Sequence, residues 1–198
     1  VATRAKYHHG DLRTALVDAA LELIAEHGLE ALSVAEAARR TGVSAAAPYR
    51  HFPTRGDLLR AAAIRAAELL VTDLRAAVAR ATCPGEQLAE TARAYVRFVI
   101  EHHAGLDLIF DARLRVGDQA LAEAGRAVMN VLLPVAMDIT GDAHAALDLL
   151  EKYTAAAHGY AALHLSGFLR GRAPEVETIA DRAAEISAAL TRAAGHSG

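Results

Sequence analysis

The sequence predicts an all-α protein on three observations. Apolar residues recur at helical steps of three and four, most regularly in the C-terminal stretches 142–168 and 175–194. Alanine occurs 48 times while aromatic residues make up only 5% of the chain, a composition suited to closely packed helices. Glycine, proline and cap-type residues stand where the helical stretches start and stop. With 198 residues, 53% of them hydrophobic, the chain has ample material for a buried core. These signals divide it into an arm at 1–9, a three-helix head at 10–54 and a helical bundle at 55–198.

The arm carries Arg4, Lys6, His8 and His9, which suits either a solvated tail or an arm lying on a nucleic-acid backbone. Asp11 opens the first helix, where Leu12, Leu16, Ala19, Ala20, Leu23 and Ile24 form one stripe and Gly28 stops it. Ser33 with Glu36 three positions on has the form of a capping box, so a second helix begins near Val34. Ala37 and Ala38 let another helix cross closely, and Gly42 supplies the left-handed residue that ends this one. Val43 plugs the turn. Ser44 caps a third helix expected to run through Ala45, Ala46, Ala47, Tyr49 and Arg50 to His51, with Pro48 removing one hydrogen bond near its start. Small side chains at the front of such a helix permit close entry into a DNA major groove, and the hydroxyl, imidazole and guanidinium groups behind them suit phosphates.

The frame around this turn is specific. YHHGDLRTALVDAALELIAEHG precedes it and FPTRGDLLRAA follows it, and from about Tyr7 to Ala63 the chain resembles the DNA-binding domain of the TetR family of bacterial transcriptional regulators. A narrower likeness lies at His158-Gly159, similar to a group of these regulators with a Trp-x-x-x-His-Gly motif, although Thr154 stands where the tryptophan would.

After Phe52, Thr54 and Asp57 form a second cap pair and open a long helix to about Ala81, a lever from the head into the bundle. Pro84 and Gly85 break the chain, and Glu86 to His103 returns to helix with Leu88, Ala92, Tyr95, Val99 and His102 on one side. The segment LDLIF after Gly105 is too brief to stand alone. From Gly117 a helix runs to Thr140, with Pro134 in its interior withdrawing a partner from the Asn130 carbonyl and predicting a kink. The stretches 142–168 and 175–194 are the last two helices. Two such seams side by side predict half of a four-helix contact between identical subunits, which is also where the resemblance places the dimer interface.

Composition excludes several other functions. The net charge is only −3, and the first 60 residues carry eight Lys or Arg against seven Asp or Glu, so DNA binding has to come from a focused surface including Arg4, Lys6, Arg39, Arg50 and Arg55. Cys83 is the only cysteine, which rules out an internal disulfide and fits a reducing, cytoplasmic setting. No apolar run approaches the roughly 18 residues of a membrane span. Glu101, His102 and His103 point about 100° apart around a helix and do not share a metal. Phosphate loops, nucleophile elbows and HExxH motifs are lacking, so neither catalysis, a metal nor a cofactor is expected.

The resemblance implies a ligand-responsive regulator, usually a repressor, that binds a palindromic double-stranded operator as a homodimer and is released by a small-molecule effector. On that reading Ser44, Ala45 and Ala46 approach base edges, and Tyr49 and His51 hold phosphates. Arg50 and Arg55 supply charge, while Ser33 and Thr41 contact the flanking backbone. The effector cavity is expected among Tyr95, Phe98, Phe110, Arg113, Met129, Met137 and Tyr153, which combine size with a few polar groups. The dimer interface is expected at Leu150, Ala157, Ala161 and Leu165 with Ile179, Ala183, Ile186 and Leu190. The alternative is a dimeric helical protein that binds a small molecule and keeps a vestigial DNA head.

Overall fold

The computed structural model describes residues 9–44, 46–103, 106–109, 118–169, 171 and 175–195. The arm lies outside this set, apart from the backbone of His9. Among the described residues there is no β-strand. Helix α1 spans His9–His27 and α2 Val34–Arg40, with a 3-10 turn at Leu29–Ala31 between them and another at Pro48–Arg50 after them. Next come α3 at Arg55–Arg80, α4 at Pro84–His102, α5 at Leu106–Ile109, α6 at Gln119–Thr140, α7 at Ala143–Leu165 and α8 at Val176–Ala194.

Local chemistry explains most of these boundaries. Gly28 (φ 79°) ends α1 with its N–H donating to the Ile24 carbonyl at 2.8 Å. Ser33 caps α2 by accepting from the Glu36 N–H at 3.0 Å. The box is only half made, because the Glu36 carboxylate turns outward to Arg39 instead of back to the cap. At the other end Val43 N–H donates to Ala38 and Gly42 N–H to Arg39, each at 3.2 Å, with Gly42 at φ 69°. This paired arrangement caps the last carbonyls of α2 and needs a left-handed residue, which glycine takes without strain. The cap pair at the head of α3 is complete: Asp57 N–H donates to Thr54 Oγ1 at 3.1 Å, and Thr54 N–H donates to the Asp57 carboxylate at 3.0 Å.

One apolar core runs without a break from α1 to α8. The stripe of Leu16, Ala19, Ala20, Leu23 and Ile24 is buried, as expected, and α1 packs on α2 and α3. Helix α3 then continues into the bundle with Leu58, Ala62, Ala66, Leu70, Leu74 and Ala77 all inward. In the bundle α8 lies most intimately against α4, where a Cβ on Gly85 would come within 3.1 Å of Thr191. Arg93 Nε donates to Asp181 and Arg97 Nε to Glu177, both at 2.8 Å, along the rim of that contact.

The middle of the bundle follows the helical stretches of the sequence closely. LDLIF yields one helical turn, α5, whose Leu108 and Ile109 are completely buried against α3 and α6. The chain leaves α4 at His103, held at φ 47°, where the sequence expected that helix to end. Helix α6 continues through the exposed Pro134 to Thr140, as expected, and its 22 residues are apolar enough by length and composition to cross a bilayer although charged residues interrupt the run. Leu121, Val128, Leu132, Val135 and Ala136 turn that apolar content into the core.

The largest correction concerns the dimer residues. Leu150, Ala157, Ala161, Ile179 and Ala183 are at most 2% exposed within this single chain, and Leu190 is half-buried against the same core. The three-four seams face α4 and each other. A seam records only that a helix face meets an apolar surface, and here that surface belongs to the same chain. Leu165 and Ile186, each 38% exposed, remain at the surface, joined by Leu147, Leu163 and Phe168.

Candidate functional site

Two sites emerge, one on the head and one inside the bundle. On the head, the expected third helix is not an α-helix. Ala47 N–H donates to the Ser44 carbonyl at 3.0 Å in a turn, and the 3-10 turn Pro48–Arg50 follows, with His51 and Phe52 N–H both donating to the Pro48 carbonyl at 2.9 Å. Pro48 has no N–H to return to Ser44, so the α pattern cannot propagate through it. Pro48 and Phe52 are buried, the latter with the Arg13 guanidinium 5.2 Å from its ring centroid.

That anchoring leaves the polar side chains outward. Ser44, Ala46, Arg50 and His51 border one shallow groove together with Leu12 and Ala47, and Tyr49 stands 49% exposed beside it. Ala45 lies outside the described residues. Ser33 and Thr41 sit at the two ends of α2, where Ser33 serves as the cap and Thr41 Oγ1 donates back to the Ala37 and Ala38 carbonyls.

Arg55 does not join this surface. Its Nε donates to the Leu32 carbonyl at 2.8 Å and its Nη2 to the Leu29 carbonyl at 2.6 Å, tying the turn before α2 to the start of α3. Arg39 pairs with Glu36 and Arg40 with Glu26, and each pairing holds its carboxyl below the usual carboxylate range. Among the described residues of the head, Arg50 is an exposed cation with no carboxylate partner.

Inside the bundle lies a cavity of about 230 Å³. Leu74 of α3 and Tyr95 of α4 form part of its wall, Val128, Met129 and Leu132 of α6 another, and Tyr153 and Thr154 of α7 the rest. Of the expected cavity residues, Tyr95, Met129 and Tyr153 are brought together here. Phe98 is buried elsewhere with its ring tilted 50° against that of His102, ring centroids 4.6 Å apart, and Met137 packs against the core without lining the space. Phe110 and Arg113 lie outside the described residues.

The polar side chains of the described wall are few: Tyr95, Tyr153 and Thr154. The Tyr95 hydroxyl is 3.0 Å from His158 Nδ1. Tyr153 donates to Thr91 Oγ1 at 3.0 Å, which donates to the Leu88 carbonyl at 2.8 Å, and burial pushes the Tyr153 phenol well above its ordinary range, so it stays protonated. Leu74, Val128 and Leu132 were not anticipated because they look like any other core position. Thr91, a hydroxyl between Leu88 and Ala92 on the apolar face of α4, was the readable sign of a buried polar relay.

A chain of contacts links the start of α6 to the start of α3. Asp118 caps α6 by accepting from the Leu121 N–H at 3.0 Å and lies 3.6 Å from Arg60, which also pairs with Asp57 of the cap at the start of α3. Among the described residues no group of three potential metal ligands gathers.

Residues 16–62 match the family described as bacterial regulatory proteins, tetR family, and residues 88–186 match the tetracyclin repressor-like C-terminal domain. A curated relative, the HTH-type transcriptional regulator BetI of Agrobacterium fabrum, is 33% identical over 126 residues; the match covers 52% of this chain and 59% of that protein. A solved structure of a protein of unknown function from Rhodococcus sp. RHA1 is 30% identical with a TM-score of 0.76, covering 96% of this chain and 98% of that one. A tetR-family transcriptional regulator from Streptomyces coelicolor shares the fold at 23% identity and a TM-score of 0.72, covering 97% of this chain and 85% of that one.

Proposed function

As the chain belongs to the tetR family of bacterial regulatory proteins, we propose that it is a repressor that binds a palindromic operator as a homodimer and releases it when a small molecule fills the bundle cavity. The observation that carries this reading is the geometry of α3. Its first turn follows directly on the Tyr49-Arg50-His51 segment, and Leu74, nineteen residues after Arg55, walls the cavity. At 1.5 Å per residue the two lie about 30 Å apart on one rigid rod.

A ligand in the cavity presses on α3, α4, α6 and α7 together. Displacement of α6 is passed to the start of α3 through Asp118, Arg60 and Asp57, so the angle of the head changes. Two heads on one face of DNA stand about 34–36 Å apart, or a multiple of that, and a ligand preferring another spacing lowers operator affinity by its differential affinity for the two states. The exposed apolar side chains Leu147, Leu163, Leu165 and Ile186 of α7 and α8 support a subunit contact on that side of the bundle.

The test is a mobility shift with the DNA flanking the coding region, or a site selected from random sequence, across a salt series. Tyr49→Ala and Arg50→Ala each weaken a selective, salt-dependent shift by about tenfold or more while the fold is retained. A wild-type protein with no selective binding refutes the regulator reading and leaves a cavity protein with an unused head.

A further inference from the structure

Resting on the reading of the cavity as the effector site, we propose that its ligand is an uncharged, mainly apolar molecule of about ten non-hydrogen atoms that donates one hydrogen bond to the Tyr153 oxygen. The size follows from the volume. A dry apolar cavity of about 150 Å³ admits benzene, with its six carbons, so scaling to the 230 Å³ found here gives about nine to ten heavy atoms.

The donor requirement follows from a one-way chain of hydrogen bonds. A carbonyl only accepts, so the Leu88 oxygen fixes the direction: Thr91 Oγ1 donates to it at 2.8 Å, and Tyr153 donates to Thr91 at 3.0 Å. The single phenolic proton of Tyr153 is thereby engaged, and the group offers an incoming molecule lone pairs alone. A hydroxyl or N–H satisfies that oxygen; an ether or carbonyl placed there sets two acceptors against each other. The Tyr95–His158 pair carries no such sense, since an imidazole nitrogen donates or accepts according to its tautomer.

The exclusion of charge follows from the lining. Among the described residues the wall holds no Lys, Arg, His, Asp or Glu. The arginines of the neighbouring α4 face, Arg93 and Arg97, are already paired with Asp181 and Glu177 on the outer rim. A carboxylate brought into this space loses its water without gaining a cation from any described residue.

Calorimetric titration of the full chain with four probes of one shape tests the assignment: para-propylphenol, para-propylanisole, butylbenzene and para-propylbenzoate. The phenol is expected to bind about tenfold more tightly than the anisole or butylbenzene, and the benzoate about a hundredfold more weakly than the phenol. Tyr153→Phe brings the phenol to within about threefold of butylbenzene. Met129→Trp, which fills the cavity, abolishes binding of the neutral probes while circular dichroism stays wild type.

Equal or tighter binding of the anisole or benzoate, or a phenol preference that survives Tyr153→Phe, overturns the proposed ligand class. If Met129→Trp still abolishes that binding, the cavity stands as the ligand site and only the class is wrong. Binding of any probe that survives Met129→Trp, or no binding by all four, overturns the class and the cavity reading together.

Discussion

Replacing Arg55 by alanine separates two roles that its place at the start of α3 makes equally available. As a phosphate contact it contributes to the salt dependence of DNA binding; as an internal tie it contributes to stability. The structure gives the second role, with Nε on the Leu32 carbonyl at 2.8 Å and Nη2 on the Leu29 carbonyl at 2.6 Å. A net hydrogen bond is worth about 1 kcal/mol, and the Leu29 bond is exposed, so the pair contributes about 1–2 kcal/mol. For a chain of this size that lowers the melting temperature by about 2–8 °C.

The salt slope of operator binding is the discriminating assay, because each phosphate neutralised on duplex DNA contributes about 0.9 to the slope of log affinity against log salt. Arg55→Ala is expected to lower stability in urea and to shift the binding line downward without changing its slope. Arg50→Ala, removing an exposed cation without a carboxylate partner, is expected to reduce the slope by about 0.9 and to leave stability within about 0.5 kcal/mol. An Arg55→Ala protein of unchanged stability with a slope reduced by about 0.9 would refute this account and return Arg55 to the DNA surface.

Acid sensitivity and assembly provide two further tests. Hydrogen bonding to Arg40, Arg39 and Arg97 holds Glu26, Glu36 and Glu177 below their ordinary 4.5, and the Thr54 hydroxyl does the same for Asp57 below 3.8. Depressed folded-state values mean that this stability is present above the unfolded values and lost as pH falls through the lower folded ones. Urea unfolding between about pH 6 and 3 should therefore show a decline beginning near 4.5, shallower in Glu177→Gln; an equal decline in that variant would exclude the Arg97 pair as a contributor. Ile186→Glu, at a side chain 38% exposed, is expected to leave urea stability nearly unchanged while giving monomers by sedimentation and abolishing operator binding. A variant that remains dimeric places the contact elsewhere.

Local chemistry made the head legible along the chain. A left-handed glycine, a serine one turn before a carboxylate and a threonine–aspartate pair act within four residues of each other, so Gly42, Ser33 and Thr54 announce their caps without help from the rest of the fold. The same holds for the stripe of α1 and the length of α3. Pro48 was legible too, although its effect was underestimated: one missing N–H turned the expected third helix into a turn and a 3-10 segment.

Residue type and spacing alone determined that the chain is helical and where the head turns, at Gly42 and at the cap pair of Thr54 and Asp57. Tertiary structure decided the questions that concern partners. It turned the seams of α7 and α8 into the chain's own core, drew Arg55 onto two backbone carbonyls more than twenty residues away in sequence, and left a cavity walled as much by Leu74, Val128 and Leu132 as by its tyrosines. A periodic stripe states that a face is apolar and a long cation states that it can donate. Which surface or acceptor each one meets depends on the packing of distant elements, because burial and hydrogen bonding are satisfied by whatever the folded chain brings within reach.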